Sequence, residues 1–217
     1  MIALDELADV NRSLNVVSYQ WEPSNLFSIT FAQAILYQDI NNGLVSPFNN
    51  PFIFWIPVFH NEGAGDGNGL LYGGVSIIPK HTWKIWAEIM IDDYQLNYDI
   101  KRDLEPNEIG INLGIEKKDY PWDNSELWLE YTRITNRTYQ TSKLFETYIH
   151  RGYPIGHYLG NDFDMLRLYY SQENMNGKLQ PYISLGYLRD GENGLDTPFD
   201  TPWMDSTVTM GTGYSEQ

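Results

Sequence analysis

The sequence predicts an all-β fold, and within that class the hairpins of an antiparallel transmembrane β-barrel. Three observations predict it. Apolar residues recur with period two along most of the chain, which sends alternate side chains to opposite faces of strands. The links between these segments alternate between short and long, the pattern of a barrel with tight periplasmic turns and extended external loops. The segments run roughly nine to twelve residues, close to what a tilted strand needs to cross a bilayer. A soluble sandwich usually has shorter strands and more even loops.

The chain reads as one unit: a lead-in over 1–13, then hairpins over 14–217. In the lead-in, Ile2, Leu4, Leu7 and Ala8 suit a short amphipathic helix. Strand signals follow in series. "NVVSYQW" sets Val17, Tyr19 and Trp21 on one face, and "LFSITFAQAILYQ" does the same with Phe27, Ile29, Phe31 and Ile35. "GLLYGGVSII" alternates Leu71, Val75 and Ile77 with Tyr72, Gly74 and Ser76, and "TWKIWAEIMIDDY" sets Ile85, Ala87 and Ile89 against Trp86, Glu88 and Met90. "NEIGINLGIE" opposes Ile109, Ile111, Leu113 and Ile115 to Gly110, Asn112 and Gly114. "ELWLEYTRI", "FDMLRLYYSQ" and "LQPYISLGYL" continue the series, and "STVTMGTGY" is a candidate ninth strand.

One face of every strand is aliphatic and aromatic; the other mixes Ser, Thr, Gly, Asn, Glu, Arg and Tyr. Period two fits either a solvated sandwich face or a barrel lumen. Glu88, Glu130 and Arg167 fall mid-strand on the mixed face, and Glu130 and Arg167 occupy consecutive strand segments. In a lumen these three would form a charge network; on a soluble sheet they would be solvated surface charges.

Composition removes several classes. Acidic residues number 29 against 14 Lys and Arg, so the basic footprint of a nucleic-acid binder is missing. Cysteine is absent, which removes disulfides, thiolate metal sites and thiol nucleophiles. No run reaches the roughly 18 consecutive apolar residues of a membrane helix. The opening "MIALDELADVNRSL" has no basic segment followed by an apolar core, and so does not read as a signal peptide.

Catalytic chemistry finds little support. Asp92 and Asp93 are neighbours in a strand and point to opposite faces. Asp162 and Asp164 can share a face, but an acid-rich chain supplies such pairs by chance. No nucleophile-elbow motif accompanies the four histidines. "GAGDGNG" lacks the repeated acids and closing Glu of a calcium loop. No enzyme activity, metal or cofactor is expected. Carbohydrate binding fits better, because the long links are rich in aromatics with polar tips, among them Trp55, Tyr139, Tyr148, Tyr153 and Tyr158. In "RGYPIGHYLGNDFD", Pro154 restricts Tyr153 to extended geometry, and Gly152, Gly156 and Gly160 permit left-handed turns. The stretch should be an ordered, folded-in loop. Candidate ligand contacts are Arg151, Tyr153, His157, Asp162 and Asp164, with Asp92 and Trp55; His157 also suits an internal hydrogen bond that pins the loop.

"AEIMIDDYQ" (87–95), "LWLEYT" (127–132) and "GYPIGHYLGNDFDML" (152–166), together with "WEP" at Trp21–Pro23, resemble in order and spacing the outer-membrane capsule assembly proteins of the Wzi family. The resemblance covers nearly the whole chain. It implies a bacterial outer-membrane location, lipid on the apolar face, and lectin-like, non-enzymatic binding or assembly of capsular or other surface polysaccharide. It also implies a larger barrel than eight or nine strands, so this chain is expected to be an incomplete portion of one. The segment "NRTYQTSK" (136–143) departs from the family pattern, which weakens a ligand role there. A porin-like channel and a soluble β-rich carbohydrate-active protein are the alternative readings.

Overall fold

The computed structural model describes residues 10–38, 50, 52, 67–94, 107–173 and 179–199. They form an antiparallel β protein. Eight strands make one sheet: β1 (Arg12–Ser24), β2 (Phe27–Gln38), β3 (Gly67–Lys80), β4 (Trp83–Asp93), β5 (Glu108–Lys118), β6 (Ser125–Ile134), β9 (Phe163–Gln172) and β10 (Tyr182–Asp190). Their spatial order is their chain order, β1-β2-β3-β4-β5-β6-β9-β10. Between β6 and β9 lies a small hairpin of β7 (Ile149–His150) and β8 (Tyr153–Pro154). All eight expected strand segments are present. The candidate ninth, over 206–214, lies outside the described residues.

One expectation needs correction. The helical lead-in over 1–13 does not extend into the described residues. Val10 and Asn11 have no regular structure, and β1 already begins at Arg12; residues 1–9 lie outside the description. Among the described residues no closed barrel is formed: β1 and β10 are the edges of an open sheet, and an incomplete portion of a barrel is open in the same way. In a smaller difference, β3 starts at Gly67 and takes in the end of "GAGDGNG". That segment pairs with β2, Tyr37 opposite Gly67 and Leu36 opposite Asn68, so cross-strand bonding overrides the local preference of glycine for loops. No helix among the described residues is long and apolar enough to cross a membrane.

The short links, such as Asn25–Leu26 and His81–Thr82, gather at one end of the sheet; at the other end lie the loop 135–162 and the strand ends that flank residues 39–66 and 94–107. The register makes the faces explicit. One row across all eight strands reads Trp21, Ile29, Val75, Ala87, Leu113, Tyr131, Leu166 and Tyr187. The next, from β2 to β10, reads Phe27, Ile77, Ile85, Ile115, Leu129, Leu168 and Leu185. Most of these side chains are exposed: Leu113 45%, Ile85 43% and Tyr187 65%. A sandwich would bury such a face at about 25 cal/mol per Å² of apolar surface.

The hydrophobic core sits on the opposite, mixed face. Leu36, Leu70, Ile134, Phe163 and Met165 project there at the long-link end, and the loop 135–162 folds down to cover them with Tyr139, Tyr148 and Ile149. Phe163 is fully enclosed. The core therefore lies between sheet and loop.

Candidate functional site

The covering loop is held from both flanks. On one side the Arg12 guanidinium of β1 donates to the carbonyls of Ile149 (2.6 Å), Thr147 (3.2 Å) and Phe145 (3.4 Å). On the other, the Gln140 amide donates to the carbonyls of Thr197 (3.0 Å) and Gly194 (3.3 Å), and Arg137 donates to the carbonyl of Phe199. From the middle, the buried Tyr148 hydroxyl donates to the Asn68 carbonyl at 3.0 Å. Four non-glycine residues of the loop take left-handed backbone angles: Arg137 (φ 65°), Tyr139 (φ 75°), Arg151 (φ 51°) and Asp162 (φ 56°). Such a conformation costs a bulky residue about 1–3 kcal/mol, which the anchoring contacts offset.

Tyr139 is the centre of this loop. Its N–H donates to the Asp92 carboxylate at the end of β4, and its hydroxyl accepts the His157 N–H at 3.3 Å. Burial pushes that hydroxyl up to about 12, and the nearby Asp92 carboxylate adds to the shift. It stays protonated throughout the physiological range. The ring lies so close to Gly156 that an added Cβ would sit 2.5 Å from Tyr139 Cζ. Gly156 is thus required for close approach; of the three glycines in the stretch, Gly152 (φ 81°) and Gly160 (φ 83°) are the left-handed ones.

His157 is half-buried. Its Nδ1 accepts the Leu159 N–H at 3.2 Å, and its ring packs against Tyr158 and Phe163, with centroids 4.5 and 4.7 Å away. Burial lowers its pKa, and the Arg167 charge lowers it further. This is the loop-pinning role. Asp162 and Asp164 do not form a joint site. The Asp162 carboxylate is wholly buried and accepts the Asn193 N–H at 3.1 Å. Asp164 takes a bidentate bond from Arg189, Nε to Oδ1 at 2.8 Å, and the Tyr131 hydroxyl at 3.2 Å. Arg151 and Tyr153 stand exposed at the β7–β8 tip, Tyr153 at 75%. Trp55 lies outside the described residues. The expected ligand set is therefore dispersed: the β7–β8 tip holds Arg151 and Tyr153, Tyr139 gathers Asp92 and His157, and Asp162 and Asp164 each have their own partners.

What does converge is the mixed face below the loop. A trough of about 330 Å³ is walled by Tyr72, Lys84, Trp86, Trp128 and the carboxylates of Glu88, Glu116, Glu126 and Glu130, with Ser28 and Thr30 at its β2 side. A second cavity of about 240 Å³ continues it toward the loop, reaching Tyr139 and His157, and the two share Tyr72 and Glu88. Two of the expected network residues line the trough. The third, Arg167, is the direct cross-strand partner of Glu130. Its guanidinium lies 5.7 Å from the Trp128 ring and donates to the Tyr158 hydroxyl at 3.2 Å, which ties trough to loop.

Register explains the shape. Trp86 sits opposite Gly114, whose absent side chain lets the indole lie flat across the sheet; a Cβ there would fall 1.9 Å from Trp86 Cζ2. The indole N–H then donates to Asn112 Oδ1 (2.7 Å), and Asn112 donates to Thr132 Oγ1 (2.9 Å). Lys84 lies 5.7 Å from the Trp86 ring centroid. Beyond the trough, Trp128, Tyr169 and Tyr182 stack in sequence at 5.1 and 5.9 Å, near parallel at 17° and 21°. Alternation alone placed these side chains on one face. Their convergence depends on the pairing of β4, β5 and β6, and the Trp–Gly pair opposite each other was its one local sign.

Compared with known proteins, the chain matches no family model, no curated protein and no solved structure.

Proposed function

We propose that this chain is part of the wall of a bacterial outer-membrane β-barrel, of the kind the Wzi-type capsule assembly proteins form, and that it binds or organises surface polysaccharide without altering it chemically. One observation carries this reading: two unbroken apolar rows are exposed on one face, while polar and aromatic side chains and a folded-in loop occupy the other. Lipid is the solvent that suits the first face, and a wet lumen suits the second. Short links at one end of the sheet, and at the other the folded-in loop and the strand ends that lead into the longer links, support the same orientation.

A channel needs an open lumen, and a loop docked on the mixed face speaks against it. Catalysis is disfavoured because the acid pair Asp162 and Asp164 is spent on backbone and Arg189 contacts. The test is fractionation of cells that produce the protein, followed by extraction. Recovery with the outer membrane, and release only by detergent, is the expected outcome. Recovery in the aqueous fraction sinks the barrel reading, and failure of the detergent-solubilised protein to retain any polysaccharide sinks the binding one.

A further inference from the structure

We infer that the mixed-face trough is a saccharide subsite selective for chains that carry free amino groups, and that it rejects acidic ones. The inference rests on the polysaccharide-binding reading and names the class of glycan.

The geometry supplies flat apolar surface and fixed acceptors side by side. Trp86 lies flat over Gly114, and Trp128 heads a stack that extends through Tyr169 to Tyr182. Planar rings with hydrogen-bonding edges suit sugar faces. The trough has a volume of about 330 Å³, within the range of small-molecule sites. The two tryptophans already have cations over their rings, Lys84 and Arg167, each 5.7 Å from the centroid. The chemistry of the walls is therefore aromatic, cationic and carboxylate together.

The charge balance sets the selectivity. Four glutamates face one lysine along the lining. Lys118 lies 3.5 Å from Glu116, and Arg167 stands opposite Glu130, at the margin. Lys118 is also the register partner of Glu126, which leaves Glu88 with no cation in the lining beyond the shared Lys84. An ammonium group entering the trough offsets this negative excess, whereas a uronate adds to it. The overall charge of −15 acts in the same direction at longer range.

The test uses the full chain folded in detergent micelles and three oligosaccharide probes of equal length: glucosamine oligomers with free amines, their fully N-acetylated counterparts, and galacturonate oligomers. Titration calorimetry at low salt should show the amino oligomer binding most tightly, with affinity that falls as salt rises. The acetylated form should bind more weakly and the uronate not at all. Glu88→Gln and Glu126→Gln keep shape and hydrogen bonding, and each should weaken the amino oligomer roughly two- to fivefold. Lys84→Gln should strengthen it, and circular dichroism checks that the strands remain. Equal binding of the amino and acetylated forms, tighter binding of the uronate, or unchanged affinity in both folded Glu variants overturns the selectivity while leaving polysaccharide binding standing. No binding of any probe overturns both.

Discussion

At the scale of single residues, Gly156 and His157 decide how firmly the covering loop sits. Gly156→Ala places a methyl group 2.5 Å from Tyr139 Cζ and should destabilise the docked loop by about 1–3 kcal/mol. Limited proteolysis within 135–162 should speed up accordingly, without loss of strand signal. His157 adds a pH dependence. Its pKa is lowered in the folded protein by burial and by Arg167, so the fold favours the neutral ring. The loop's full stability is present above the ordinary histidine value and is lost as pH falls below it, through the lowered folded value. Hydrogen exchange of loop amides should therefore quicken on acidification, beyond its intrinsic pH trend, and His157→Gln should flatten that response. The sequence marked both residues as loop-shaping. It did not show that Gly156 serves the Tyr139 ring, because that contact spans a stretch whose left-handed angles at Arg137 and Tyr139 no local preference predicts.

At the scale of elements, the strands and the folded-in character of the loop were legible, and the loop's contacts were not. Period-two alternation located all eight strands of the sheet because each has one apolar face, and a one-residue slip would invert it. It also placed Glu130 and Arg167 on neighbouring strands, where they are direct register partners. The loop's fold is written in contacts far apart in sequence, such as Arg12 with Ile149 and Tyr148 with Asn68. These carry no periodic signal. The segment 136–143, set aside by comparison with the resembling family, holds the central Tyr139. Arg12→Ala removes three donor contacts to the loop. The expected loss is about 1–3 kcal/mol in the opening free energy of amides 145–149, given the strength of charged hydrogen bonds. Exchange within β5 should stay unchanged; a uniform rise across the sheet would mean that Arg12 stabilises the fold as a whole.

At the scale of the whole molecule, the exposed apolar rows govern behaviour. Leu113 stands mid-row on β5 at 45% exposure. Leu113→Arg should cost about 2–4 kcal/mol of folding into lipid bilayers if this face meets hydrocarbon. If the face is solvated, the substitution should be close to neutral and raise solubility. Folding yield into vesicles, followed by tryptophan fluorescence, separates the two. The open edges add a second property. β10 is exposed at every residue and is an edge of the sheet among the described residues; an open edge is not tolerated in hydrocarbon. In lipid both edges need further strands beside them, so vesicle folding should yield assemblies in which the β1 and β10 amides are protected from exchange.

The attachment of the loop to β1 has a kinetic side. Each neighbouring strand pair up to β6 joins segments adjacent in the chain, and such hairpins can zip locally. The bonds from Arg12 to the loop link residues 133 to 137 positions apart, and those from Gln140 reach forward 54 and 57. Contacts so remote form late, after the intervening chain has been ordered. During biogenesis the mouth of the sheet would therefore stay uncovered until the strand array is laid down, with Tyr139 and Tyr148 settling last over Phe163.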